Sequence, residues 1–95
     1  MSADVILHLK DLMSQYKFEA TIFESVFILK SRFDIWKIFY DPQQTKIMVY
    51  HKNKGNDFYH FQKSYMTGKS MLNCVFKDIK DHDNYVLNNR NVKGR

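Results

Sequence analysis

A single cysteine, a single proline, three glycines and two glutamates, Glu19 and Glu24, are the scarce residues of this 95-residue chain. One cysteine, Cys74, cannot close an intramolecular disulfide, which excludes the disulfide-stapled secreted scaffolds. So little proline and glycine excludes a loop-rich or low-complexity chain and predicts order over most of its length. The longest apolar stretch, residues 21–29, is interrupted by Glu24 and is far too short to span a bilayer, so no membrane partner is expected. The first residues lead straight into a helical pattern without a basic segment followed by an apolar one, so no secretory leader is expected. A reduced, cytoplasmic location is the resulting expectation. The small size excludes a multidomain enzyme and a large cofactor-binding architecture.

Two things are plentiful. Aromatic residues reach 16% (Phe 8, Tyr 6, Trp 1), and Lys+Arg 15 against Asp+Glu 10 leaves a net charge of +5. Lysine far outnumbers arginine, and Asn, Ile, Phe and Tyr are frequent, which suggests an A+T-rich coding genome, that of a low-GC bacterium or its mobile elements. The positive excess is local. Residues 42–70 carry Lys46, Lys52, Lys54, Lys63 and Lys69 against Asp57 alone, and residues 88–95 carry Arg90, Lys93 and Arg95 with no acid. The rest of the chain is slightly acidic.

Hydrophobic spacing places the elements. Val5, Ile6, Leu9, Leu12, Met13 and Tyr16 recur at helical intervals behind an N-cap at Ser2 and an acid, Asp4, in the first turn, which predicts a helix over 3–16. Residues 18–31 are β-branched or aromatic and nearly continuous, and read as one buried strand, with a helix as the competing reading. Asp41-Pro42-Gln43-Gln44 has proline at the second position of a β-turn between strand-like runs over 33–40 and 45–52. A two-residue connection sets Tyr40 opposite Thr45 and Ile38 opposite Ile47. Trp36, Ile38, Ile47 and Val49 then share a core face, and Ile35, Lys37, Phe39, Lys46, Met48, Tyr50 and Lys52 share the other.

Asn53-Lys54-Gly55-Asn56 marks a second turn before a strand over 57–64. The register that sets Tyr59 and Phe61 beside Val49 and Ile47 completes the core and is preferred over the one beside Met48 and Tyr50. Thr67 or Ser70 caps a second helix whose apolar face is Met71, Leu72, Val75, Phe76 and Ile79. It should end near 81–84, with residues 85–87 adding a short segment and 88–95 a basic flexible tail. The expected fold is therefore α+β in the order α-β-β-β-β-α, an antiparallel meander of three to four strands with a helix at each end, forming one domain over 1–87. Double-stranded-RNA-binding domains share this helix–strands–helix order. The second helix here lacks their alanine-rich, lysine-clustered start, so the likeness is one of element order alone.

Four chemical signatures fail on their spacing. Thr67-Gly68-Lys69-Ser70 resembles the end of a phosphate-binding loop, but Lys63 stands where the first glycine is required. Asp81-His82-Asp83-Asn84 lacks the glycine and closing glutamate of a calcium loop, and reads as a solvated helix end. His51 and His60 come close across a hairpin, yet with Cys74 they have no metal-ligand spacing and read as surface residues. Cys74 lies between Leu72 and Val75 and reads as a small packed hydrophobe. No catalytic residue, metal or cofactor is expected, and the chain reads as non-enzymatic.

Lysines interleaved with aromatics on a strand face are what a single-stranded nucleic-acid platform needs: ammonium groups neutralise phosphates while rings stack on bases. The expected DNA- or RNA-contacting residues are Lys37, Lys46, Tyr50, Lys52, Lys54, Lys63 and Lys69, with Arg90, Lys93 and Arg95 of the tail. The alternative is a protein-interaction module, an adaptor or inhibitor and possible homodimer, using Ile35, Phe39, Met48 and Tyr50 as its patch.

Overall fold

In the computed structural model, residues 3–40, 43 and 45–93 are described, the last four as backbone only. Helix α1 (Ala3–Tyr16) is followed by strands β1 (Glu19–Phe23), β2 (Val26–Lys30), β3 (Asp34–Phe39), β4 (Lys46–Asn53) and β5 (His60–Met66), then helix α2 (Met71–Lys93). The strands form one antiparallel sheet in sequence order, β1-β2-β3-β4-β5. The α+β layout expected from the sequence is present. Its strand count is five because residues 18–31 form a hairpin: Phe23 pairs with Val26 across Glu24 and Ser25. Glu24 takes a left-handed backbone (φ 54°), so the tight turn is made without glycine.

Both helices pack on one face of the sheet. Val5, Leu9 and Leu12 from α1 and Leu72, Val75, Phe76 and Ile79 from α2 meet Phe27, Leu29, Trp36, Ile38, Ile47, Val49 and Tyr65 in a single buried cluster. Strand alternation sends Ile35, Lys37, Phe39, Met48, Tyr50 and Lys52 to the opposite face, as the sequence requires. Among the described residues no helix covers that face.

The strand registers correct two expectations. Ile38 pairs with Val49 and Phe39 with Met48, two residues away from the tight-turn alignment. Tyr40 explains the offset, because its N–H donates to Ser25 O at 2.7 Å and its ring is buried. An even offset keeps every side chain on its expected face. Ser2 and, of the turn, Asp41, Pro42 and Gln44 lie outside the described residues. In the second hairpin Phe61 pairs with Tyr50 on the open face, and a bulge between Val49 and Tyr50 reverses the parity beyond it. Tyr65, opposite Ile47, therefore fills the core position that the sequence reading gave to Phe61.

Helix α2 also runs past its expected end at 81–84, continuing through Lys93. Residues 85–87 and much of the expected tail are thus helical; Gly94 and Arg95 lie outside the described residues. The continuation is anchored by Asp83, 2% exposed, which accepts hydrogen bonds from Ser31 Oγ and from Arg32 N, both at 3.0 Å. Cys74 is exposed rather than packed, because Leu72, Val75 and Phe76 take the inward positions of that turn.

Candidate nucleic-acid interface and a buried histidine cluster

The open sheet face is built from side chains that alternate away from the core. On it, Phe39 of β3, Tyr50 of β4 and Phe61 of β5 form a diagonal of edge-to-face rings, with centroids 5.7 Å and 5.5 Å apart. Phe39 and Phe61 are 38% and 50% exposed, which is unusual enough for large aromatics to ask what covers them. Phe61 reaches this face only because the bulge turns it away from the core.

Beside the diagonal lies a cationic group. Lys37 Nζ and Lys52 Nζ sit 4.7 Å and 5.0 Å from the centroid of the Tyr59 ring. Cation–π attraction to that half-buried ring holds both stems over the sheet. Burial raises the Tyr59 hydroxyl above its usual range, so it stays a neutral donor at physiological pH. Lys46 projects from the same face of β4, and Lys30 of β2, which the sequence leaves unmarked, adds a fourth ammonium between Ile35 of β3 and the acid Glu19 of β1. The result is a basic, aromatic surface at the centre of the sheet.

Other expected nucleic-acid residues lie elsewhere. Lys63, opposite Val49, turns toward the helices, where it pairs with Asp78 at 3.4 Å and covers the Tyr65 ring. Lys54 donates to Arg32 O at 3.0 Å and closes the β4–β5 turn onto the β2–β3 connection. Lys69 is exposed in the connection before α2. Arg90 and Lys93 belong to the last turns of α2, and Arg95 is outside the described residues. The alternative patch, Ile35, Phe39, Met48 and Tyr50, lies wholly on the open face, but Lys37 and Lys52 stand among its members.

A second constellation lies beneath the sheet, on the helix side. Asp34 opens β3, His51 sits across from Trp36 on β4, and His82 comes from α2. The His51 ring stacks on Trp36 at 5.0 Å, and His82 meets the Trp36 edge at 5.3 Å. His60 stands with its ring 4.1 Å from that of His51. The expected proximity of His51 and His60 is therefore present, but His51 is buried, 8% exposed, and not a surface residue. Burial, and then the neighbouring His60 and His82, push its pKa down to about 4. It is a neutral imidazole at physiological pH. The segment 81–84 is likewise no solvated helix end, since His82 and Asp83 face the sheet while Asp81 pairs with Lys77 on the surface.

The signals for this cluster are present in the chain. Asp34 precedes Trp36 and Ile38 at strand spacing, and His51 follows Ile47 and Val49 at the same spacing. His82 and Asp83 continue the stripe of Leu72, Val75, Phe76 and Ile79 at helical spacing. Among the described residues no helix is long and apolar enough to cross a membrane. Comparison with protein-family models, curated proteins and solved structures finds no match to this chain.

Proposed function

We propose that this chain is a small, non-enzymatic accessory or regulatory protein that binds single-stranded nucleic acid on the open face of its sheet. The observation that carries this reading is the exposed diagonal of Phe39, Tyr50 and Phe61 with Lys37 and Lys52 clasping Tyr59 beside it. Bases of a single strand stack on ring faces at about 1–3 kcal/mol each, whatever their identity. Ammonium groups at the same height neutralise the phosphates and release counterions. A broad sheet face offers no element that enters a major groove, which favours unpaired strands over duplex. With Lys30, Lys37, Lys46 and Lys52 engaged, log K should fall against log salt with a slope of about −3.

Fluorescence anisotropy with labelled single-stranded DNA and RNA of about 15 nucleotides, and with the matching duplexes, tests this. Tighter binding to single strands, weakening steeply between about 50 and 200 mM salt, is the expected result. Absence of binding at the lower salt removes the reading.

A protein partner is the second reading, and one observation favours it. Phe23, Val26, Phe39 and Met48 line up across β1 to β4 as an apolar row with no lysine in it. A second copy of the chain laid face to face would cover that row together with Ile35 and Tyr50.

A further inference from the structure

Three elements, β3, β4 and α2, each bring one potential ligand atom to a common point: those of Asp34, His51 and His82 lie within 4.8 Å of one another. Asp34 Oδ2 and His82 Nδ1 are 3.4 Å apart. That is about the edge of a tetrahedron around an ion with bonds of roughly 2.0–2.1 Å. His51 Nδ1 is buried and makes no hydrogen bond among the described residues. A buried nitrogen in this position calls for an ordered water or an ion.

We propose that Asp34, His51 and His82 form a binding site for a divalent transition ion of the zinc class. Two imidazoles and one carboxylate are ligands for zinc-like ions, whereas magnesium and calcium take oxygen ligands throughout. Three protein ligands leave one position of a tetrahedral ion for water. The surroundings suit such a site. Trp36 fixes both rings by stacking and edge contact, and Asp34 O is anchored by Ser31 N at 3.0 Å. A surface cavity of about 390 Å³, lined by Trp36, Lys63, Asp78, Asp81 and His82 among others, opens the His82 side of the site to solvent.

The ion would fasten α2 to β3 and β4. This site lies on the helix side of the sheet, so it stands or falls independently of the open face.

The test is titration of the chelator-treated protein with cobalt(II) and zinc(II) chlorides. Cobalt should produce the visible absorption of a tetrahedral centre, and one equivalent of zinc should abolish it. Zinc should also raise the melting temperature. The isosteric Asp34→Asn and the His82→Gln variants should each weaken zinc at least tenfold, while His8→Ala should leave it unchanged. Should either ligand variant fail to fold, the ring-nitrogen NMR signals of the native protein decide. Zinc must shift those of His51 and His82 and spare that of His8. Absence of a cobalt spectrum and a zinc-induced melting shift overturns the proposal. So does zinc binding that survives both ligand substitutions, or that moves His8 or His60 in place of His51 and His82.

Discussion

Asp83 and Ser31, 52 residues apart in the chain, meet at 3.0 Å between a buried carboxylate oxygen and a hydroxyl. The same hydroxyl oxygen accepts from Trp36 Nε1 at 2.9 Å, and the second carboxylate oxygen accepts from Arg32 N at 3.0 Å. One acid thus ties the middle of α2 to the β2–β3 connection and, through Ser31, to the largest side chain of the core. Hydrogen bonds to a buried charged acceptor contribute about 1.5–3 kcal/mol, and their loss strands the donors. Asp83→Ala should therefore cost about 3 kcal/mol in urea denaturation, and Asp83→Asn, which keeps one acceptor, clearly less. A loss below about 1 kcal/mol for the alanine variant would mean that α2 is held by its apolar face alone.

Tyr65 gives the fold a dependence on alkaline pH. Its hydroxyl donates to Asp78 Oδ2 at 2.6 Å, and burial, followed by that bond and charge, raises its pKa well above 10.0. A raised folded-state pKa means the neutral phenol is favoured by folding. Its contribution is fully present below pH 10 and is lost as pH rises through the folded-state value. Denaturation midpoints should fall above pH 10 in the native protein. Tyr65→Phe should flatten that alkaline limb and cost about 1 kcal/mol at neutral pH. An unchanged limb would place the alkaline loss on other groups.

On the open face, function and stability should separate. Phe61→Ala removes a ring that is half exposed, so its stability cost should be small while single-strand affinity falls by about 1–3 kcal/mol. Lys37→Glu with Lys52→Glu should weaken binding further and make the salt slope shallower by about 1.4. Lys63→Glu is the contrasting variant. It opposes Asp78 on the helix side, so it should lower stability more than it lowers affinity. Equal losses of affinity from Lys63 and from the Lys37–Lys52 pair would mean that overall charge, not the face, attracts the nucleic acid.

The same face must be free for that binding. Sedimentation velocity should find a monomer at micromolar concentration. A tight dimer that Phe39→Ser or Met48→Ser converts to monomer would favour the protein-partner reading instead.

Much of this arrangement was legible in the residues. The helix over 3–16, the split of β3 and β4 into a core face and a lysine–aromatic face, and the apolar stripe of α2 all follow from strict period. What was hidden has local causes. The Glu24–Ser25 turn carries neither glycine nor asparagine to announce it, because Glu24 itself takes the left-handed backbone. The bulge in β5 breaks period two, so Phe61 and Tyr65, which simple alternation assigns to one face, lie on opposite faces. The buried polar residues escape the hydrophobic pattern because each lies just beyond the last apolar member of its element. Strand parity carried two residues further reaches Asp34 and His51, and helical spacing carried one turn further reaches His82 and Asp83.

Amide chemical-shift mapping of the labelled protein during titration with single-stranded oligonucleotide distinguishes the surfaces residue by residue. The shifts should gather on Lys37, Phe39, Tyr50, Lys52, Tyr59 and Phe61, leaving the outer surfaces of α1 and α2 unmoved. Shifts confined to the last turns of α2, or to Lys63 and Lys69 without the aromatic diagonal, would contradict binding on the open sheet face.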